Sequence, residues 1–161
     1  MRIAILTVSD AGARGERADL SGDAIAAWAK TRGYNVTQRA LVADRTALIA
    51  ATLAQWSDDD SADVIISTGG TGLSPSDVTP EATRAVLERE APGIAELLRA
   101  SVMAKFPRAA LSRGLAGVRA RCLVVNLPGS PSGVTDGLAA LDAIVEHAVA
   151  IVRGTATEHS K

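Results

Sequence analysis

Short apolar runs alternate along this chain with stretches of helical spacing, and polar, glycine-bearing loops join them. Residues 2–8, RIAILTV, form a β-branched run that ends in Ser9-Asp10, the pattern of a strand buried on both faces. A charged loop follows, and then Leu20, Ala24, Ala27, Trp28 and Thr31 fall near helical spacing over residues 20–32, with Gly33 as the stop. Residues 34–42, YNVTQRALV, alternate well enough for a second strand. Leu48, Ala51, Thr52 and Gln55 mark the next helix, for which Asp44 is a candidate N-cap. The acidic run 57–63 reads as a solvated turn, and residues 63–68, DVIIST, as a third strand.

That strand runs into TGGTGLSPSDVTPEAT, residues 68–83. Thr79-Pro80-Glu81 is a helix start there, with Thr79 as N-cap, Pro80 as the first helical residue and an acid in the first turn. Pro92-Gly93 breaks the chain. Ile94, Leu97, Leu98, Ser101 and Val102 then line one face of a helix that Pro107 ends. Residues 115–118 and 122–127 predict a hairpin or two adjacent strands. From Val134 to Val152 the longest amphipathic pattern in the chain predicts one closing helix. The alternation predicts an α/β fold with a mainly parallel sheet covered on both faces, and one antiparallel strand from the 115–127 region. Residues 1–154 are expected to form a single domain and 155–161 a frayed tail.

Composition narrows the function. Aromatic residues make up only 2% of the 161 positions, too few for a base-stacking surface. With 17 basic against 18 acidic residues and a net charge of −1, no basic field attracts nucleic acid or an anionic membrane. The one cysteine, Cys122, lies in an apolar run and reads as a core residue. No apolar run approaches membrane-spanning length, and the first residues are too short an apolar stretch for a signal peptide, so the expected compartment is the cytoplasm.

In open α/β sheets ligands bind beyond the carboxyl ends of the strands, and the polar residues gather there: Ser9-Asp10, Asp44, Thr68 to Asp77, and Asn126 to Ser130. Gly69, Gly70 and Gly72 make a plausible anion cradle, because backbone without Cβ atoms lets N–H groups converge on an oxyanion. The loop does not end in the Gly-Lys-Ser/Thr of a P-loop, and Pro75 occupies the third-glycine place of a dinucleotide fingerprint. A carboxylate beside a phosphate cradle makes best sense with Mg²⁺ between them, so Asp77 is a candidate metal ligand; its other reading is a turn cap. Asp44 has the same two readings. The histidines, His147 and His159, stand outside metal or triad spacing, and PGSPSG at 128–133 has proline where a nucleophile elbow needs serine.

The glycine loop, together with TVSD at 7–10, ADLSG at 18–22, LSRGLAG at 111–117 and NLPGSP at 126–131, resembles the molybdenum-cofactor biosynthesis proteins of the MogA/MoaB type, relatives of the molybdopterin-adenylylating domain of gephyrin. The resemblance runs in matching order from Met1 to about Gly154. It implies a three-layer α/β/α sandwich, a homotrimer or hexamer, and adenylylation of molybdopterin by Mg²⁺-ATP with release of pyrophosphate, the product passing to a metal-insertion enzyme. It implies catalytic roles for Asp77 and Asp44, with Asp77 as the Mg²⁺ ligand. Gly69, Gly70, Thr71 and Gly72 match the loop that contacts nucleotide and pterin phosphate. Ser9, Asp19, Ser21, Glu81, Ser112, Asn126, Pro128, Gly129 and Ser130 match further binding positions. Ser76 and Ser132 stand where many relatives carry basic residues, and Arg84, Arg108 and Arg113 are candidate replacements. Two other readings are a non-catalytic molybdopterin-binding paralogue and a nucleotide hydrolase of the competence-damage-protein type.

Overall fold

A computed structural model describes residues 1–155; the rest of the expected tail lies outside the described residues. Among the described residues six strands form one sheet in the order β2-β1-β3-β6-β5-β4. They are β1 (Arg2–Val8), β2 (Asn35–Val42), β3 (Val64–Thr68), β4 (Arg89–Glu90), β5 (Ala116–Arg119) and β6 (Cys122–Leu127). β2, β1, β3 and β6 are parallel neighbours, and β5 runs against both β6 and β4. The expected antiparallel strand is therefore β5. The two-residue β4 has no counterpart in the apolar pattern, because both its residues are exposed and only backbone pairing makes it a strand.

Among the described residues seven helices accompany the sheet: α1 (Asp10–Ala13), α2 (Leu20–Thr31), α3 (Thr46–Asp58), α4 (Thr79–Val86), α5 (Pro92–Met103), α6 (Pro131–Leu141) and α7 (Val145–Arg153). Strand side chains alternate between two buried clusters, as the pleat requires. Ile3, Ile5, Val64, Ile66, Leu123 and Val125 meet Ile25 of α2, Val134 and Leu138 of α6 and Val145 of α7. Ala4, Leu6, Ile65 and Val124 meet Ile49 and Leu53 of α3 and Ala82 of α4 on the other face. The result is the three-layer sandwich. Cys122 packs in the second cluster at 1% exposure, and burial pushes its thiol up to about 12, which leaves it without nucleophilic character at neutral pH.

Several local expectations change. Pro92 opens α5 at its N-terminus instead of breaking the chain, since a first-turn N–H has no helical partner to lose. Pro107 begins a short 3₁₀ turn, Pro107–Leu111, after α5 has already ended. The closing pattern divides into α6 and α7. Its apolar rhythm persists across the break because Leu141 and Val145 are both fully buried. At the break, Asp142 accepts hydrogen bonds from Trp28 Nε1 at 2.8 Å and from the Arg32 guanidinium, so it is held to the end of α2. The acidic run is only partly solvated: Asp63 accepts from the Arg2 backbone N–H at 2.7 Å and pairs with Arg2 and Arg153. Among the described residues no helix is long and apolar enough to cross a membrane.

Candidate functional site

The sheet order reverses between β1 and β3: from β1 the chain moves first outward to β2 and then back across to β3. Loops leaving β1 and β3 therefore diverge and open a crevice at their carboxyl ends, the switch point where α/β sheets bind ligands. A polar cleft of about 420 Å³ lies there. Ser9, Asp19, Ser21, Asp44, Gly69, Gly70, Asp77, Gly129 and Ser130 all line it, which brings together nine of the positions singled out in the sequence.

Local structure holds each of them. Gly69 and Gly70 have φ of 99° and 62°, backbone that an L side chain rarely adopts. A Cβ at Gly69 would also fall against the Val8 carbonyl oxygen, and one at Gly70 against Thr79 Oγ1. The Gly69 N–H is bonded to the Leu127 carbonyl at 3.3 Å, so it belongs to the β3–β6 junction and not to an anion cradle. Thr79 is the first residue of α4 and not its cap; the N-cap is Val78, and Thr79 Oγ1 donates to the Gly69 carbonyl at 2.9 Å. Thr68 Oγ1 at the end of β3 and Ser21 Oγ of α2 each reach the loop after β6, donating to the Pro128 and Gly129 carbonyls at 2.7 Å. Gly129 passes so close to the glycine loop that a Cβ on it would lie 3.2 Å from Gly69 Cα.

Caps occupy much of the polar lining. Ser9 Oγ accepts from the Gly12 N–H, Asp19 Oδ1 from Gly22 N–H and Thr7 Oγ1, and Ser130 Oγ from Gly133 N–H. Asp44 does not cap α3, whose N-cap is Arg45 without a side-chain bond. It exchanges bonds with Asp10 instead: Asp44 Oδ2 accepts from the Asp10 N–H at 2.9 Å and Asp10 Oδ1 from the Asp44 N–H at 3.0 Å. Asp77 closes the turn that precedes it, with Oδ2 accepting from Ser74 N–H at 2.8 Å. Desolvation raises the Asp44 carboxyl above its ordinary value, and the like charges of Asp10 and Asp77 add to the rise. Four carboxylates, Asp10, Asp19, Asp44 and Asp77, line the cleft against one basic side chain among the described residues, Arg17.

A second cavity of about 380 Å³ adjoins it and shares Ser130. Ala95, Leu98 and Val102 of α5, with Phe106 and Ala109, give it apolar walls. Ser112, Asn126 and Pro128 line this cavity and not the polar cleft, as does Ser132. The Asn126 amide is occupied by structure: Nδ2 donates to Ser67 Oγ and Thr83 Oγ1, and Oδ1 accepts from Leu115 N–H. Thr71, Gly72 and Glu81 line neither cavity. Thr71 is buried, and Glu81 pairs with Arg113, which lowers its carboxyl.

A family model described as a probable molybdopterin binding domain matches residues 4–147. The chain belongs to that family. Members similar to it include a molybdopterin adenylyltransferase of Helicobacter pylori strain J99, 35% identical over 96% of this chain and 89% of its own. A molybdopterin adenylyltransferase of Escherichia coli K12 is 36% identical over 86% of this chain and 72% of its own. Among solved structures, the molybdopterin biosynthesis enzyme MoaB of Thermus thermophilus superposes with a TM-score of 0.90 at 48% identity, covering 95% of this chain and 96% of that one.

Within this member of the family, sequence reasoning placed Asp10 at the strand end without a role of its own and passed over Arg17. Arg17 stands in the charged stretch between β1 and α2, so its place beyond a strand end was a usable signal. Of the candidate replacement cations, Arg84 pairs with Glu90, while Arg108 lies over the Phe106 ring and lines the apolar cavity with Ser132.

Proposed function

We propose that the protein adenylylates molybdopterin with Mg²⁺-ATP. The observation that carries this reading is the pairing of a carboxylate-lined polar cleft at the switch point with an apolar cavity that shares Ser130. The polar cleft suits a polyphosphate with its cation, and the apolar cavity suits a flat ring system. Relatives named molybdopterin adenylyltransferase support the assignment.

The residues fit a nucleotide-borne cation better than a resident metal. No group of three or more His, Cys, Asp or Glu among the described residues is arranged to hold an ion by itself. One or two carboxylates plus phosphate oxygens is the usual Mg²⁺ environment, and the Asp44 carboxyl, raised first by desolvation and then by the like charges of Asp10 and Asp77, is one whose ionised form a cation would favour. Asp77, assisted by Asp44, would hold it, and its chemistry there is neutralisation of phosphate charge. The terminal phosphate of molybdopterin attacks the α-phosphorus of ATP, the bond from that phosphorus to the bridging oxygen breaks, and pyrophosphate leaves. Because the attacking oxygen is already anionic, no general base is required; Asp77, the glycine loop and Arg17 act by orientation and charge. The product passes to a metal-insertion enzyme. The protein works in the cytoplasm as a homotrimer or hexamer, a state that sedimentation equilibrium measures directly.

Pyrophosphate release from Mg²⁺-ATP, with and without molybdopterin, tests the reading. Wild-type protein is expected to need molybdopterin. Asp77→Asn, which keeps an oxygen acceptor for the Ser74 N–H, is expected to fold normally and to lose at least about 100-fold in turnover. Molybdopterin binding without any release of pyrophosphate would instead make this a binding-only member, with Ser76 and Ser132 as the first positions to convert to basic residues.

A further inference from the structure

A side chain that does not line the cleft touches the glycine loop at both ends. Arg113 follows the 3₁₀ turn and precedes β5. Its backbone N–H donates to the Thr71 carbonyl at 2.8 Å. Its Nε donates to the Gly72 carbonyl at 2.7 Å and its Nη2 to the Asp77 carbonyl at 2.6 Å, while Nη1 pairs with Glu81 on the first turn of α4. A guanidinium presents its donors in a rigid planar fork and can meet two carbonyls and a carboxylate together, which an ammonium on a flexible stem cannot.

Little else could hold this stretch in place. Between Gly70 and Val78 the chain has no helix or strand. Leu73, the large apolar residue there, is 65% exposed, and burial within the stretch is confined to Thr71 near its start. The other bonds of this stretch are local: Asp77 N–H to the Ser74 carbonyl at 2.9 Å, Ser74 N–H to Asp77 Oδ2 at 2.8 Å, the Ser74 and Ser76 hydroxyls to each other at 3.0 Å, and Thr79 N–H to the Gly70 carbonyl at 3.0 Å. Arg113 is itself braced, because Arg99 Nη1 donates to the Gly114 carbonyl at 3.1 Å and reaches that of Ser112 at 3.4 Å. Arg113 lines neither cavity, so its charge is not presented to a ligand in the cleft.

We infer that Arg113 is a positioning residue: by bridging the Gly72 and Asp77 carbonyls it fixes the span of the glycine loop and so the reach of the Asp77 carboxylate into the cleft. Its kinetic consequence rests on the adenylylation reading; its structural consequence does not. Arg113→Lys and Arg113→Ala are compared with wild type and with Arg84→Ala, which removes an arginine from the outer, Glu90-paired side of α4.

Amide hydrogen exchange across residues 70–78 is expected to quicken about tenfold in both Arg113 variants and not in Arg84→Ala. Turnover is expected to fall about 100-fold in both while the KM for molybdopterin stays within about threefold, since a displaced reacting group slows the chemical step more than it weakens binding. Lysine keeps the charge beside Glu81 but not the fork, so failure of Arg113→Lys to restore turnover marks positioning and not charge. Wild-type turnover in a folded Arg113→Ala, full rescue by lysine, or unchanged loop exchange each overturns the inference. If Arg113→Ala does not fold, Arg113→Lys carries the comparison. If the wild-type protein forms no adenylylated product, the functional reading fails, and the exchange measurement alone decides the role of Arg113.

Discussion

At Asp44, function and stability pull in opposite directions. Its carboxyl is raised first by desolvation and then by its acidic neighbours Asp10 and Asp77. A raised carboxyl binds protons more tightly folded than unfolded, so its ionisation costs stability above the folded titration point, and that cost disappears as pH falls through it. Asp44→Asn, which keeps an oxygen acceptor for the Asp10 N–H, is therefore expected to raise Tm by about 2 °C at neutral pH, with no gain in acid. The same variant is expected to lose turnover, and calorimetry across pH beside the pyrophosphate assay checks both. In the sequence Asp77 stood out as a carboxylate beside a glycine loop and Asp44 as a polar residue beyond the second strand, and the structure lines one cleft with both. Their hydrogen-bond partners were not, since the Asp10–Asp44 exchange joins loops after two different strands. Thr79 shows the same limit: its hydroxyl suits a cap, yet it is occupied by Gly69, ten residues back in the chain.

Element boundaries follow the same division. Strands β1, β3 and β6 were readable because both faces are buried and the runs are continuously apolar. Edge elements carried weaker signals: β4 is exposed, and α1 is four residues opened by a Ser9 cap. The break between α6 and α7 was invisible to periodicity, because the core-facing positions continue through it while a contact from α2 holds Asp142. Trp28 also meets Tyr34 edge-on at 5.4 Å between ring centroids, and Tyr34 bonds Glu146 of α7, so one aromatic pair buttresses the α6–α7 corner. Trp28→Phe keeps most of the packing but loses the indole donor, with an expected cost of about 1–2 kcal/mol in denaturant unfolding and no change in turnover. A loss of turnover in a folded Trp28→Phe would connect this corner to the cleft.

Across the whole molecule, the end of the sheet opposite the cleft is closed by charge. Arg153, near the end of α7, is 12% exposed in its side chain and pairs with Asp60 at 2.7 Å and with Asp63, which also receives Arg2. Removing one partner leaves Asp63 partly buried with less compensation, so Arg153→Ala is expected to cost about 3 kcal/mol with turnover retained. Equilibrium unfolding at two salt concentrations checks this, with only weak screening expected for a half-enclosed cluster. What the amino-acid order determined by itself was the class of fold, the strands of the core and the family motifs, because apolar periodicity and loop residues are local properties of the chain. What only the tertiary structure decided was which loops share a cavity. Strand order places the ends of β1 and β3 on either side of the switch point, assigns Ser112 and Asn126 to the apolar cavity instead of the polar cleft, and brings Arg113 against a loop some forty residues earlier. Those relations depend on distances between segments remote in sequence, which hydrophobic pattern and residue type do not encode.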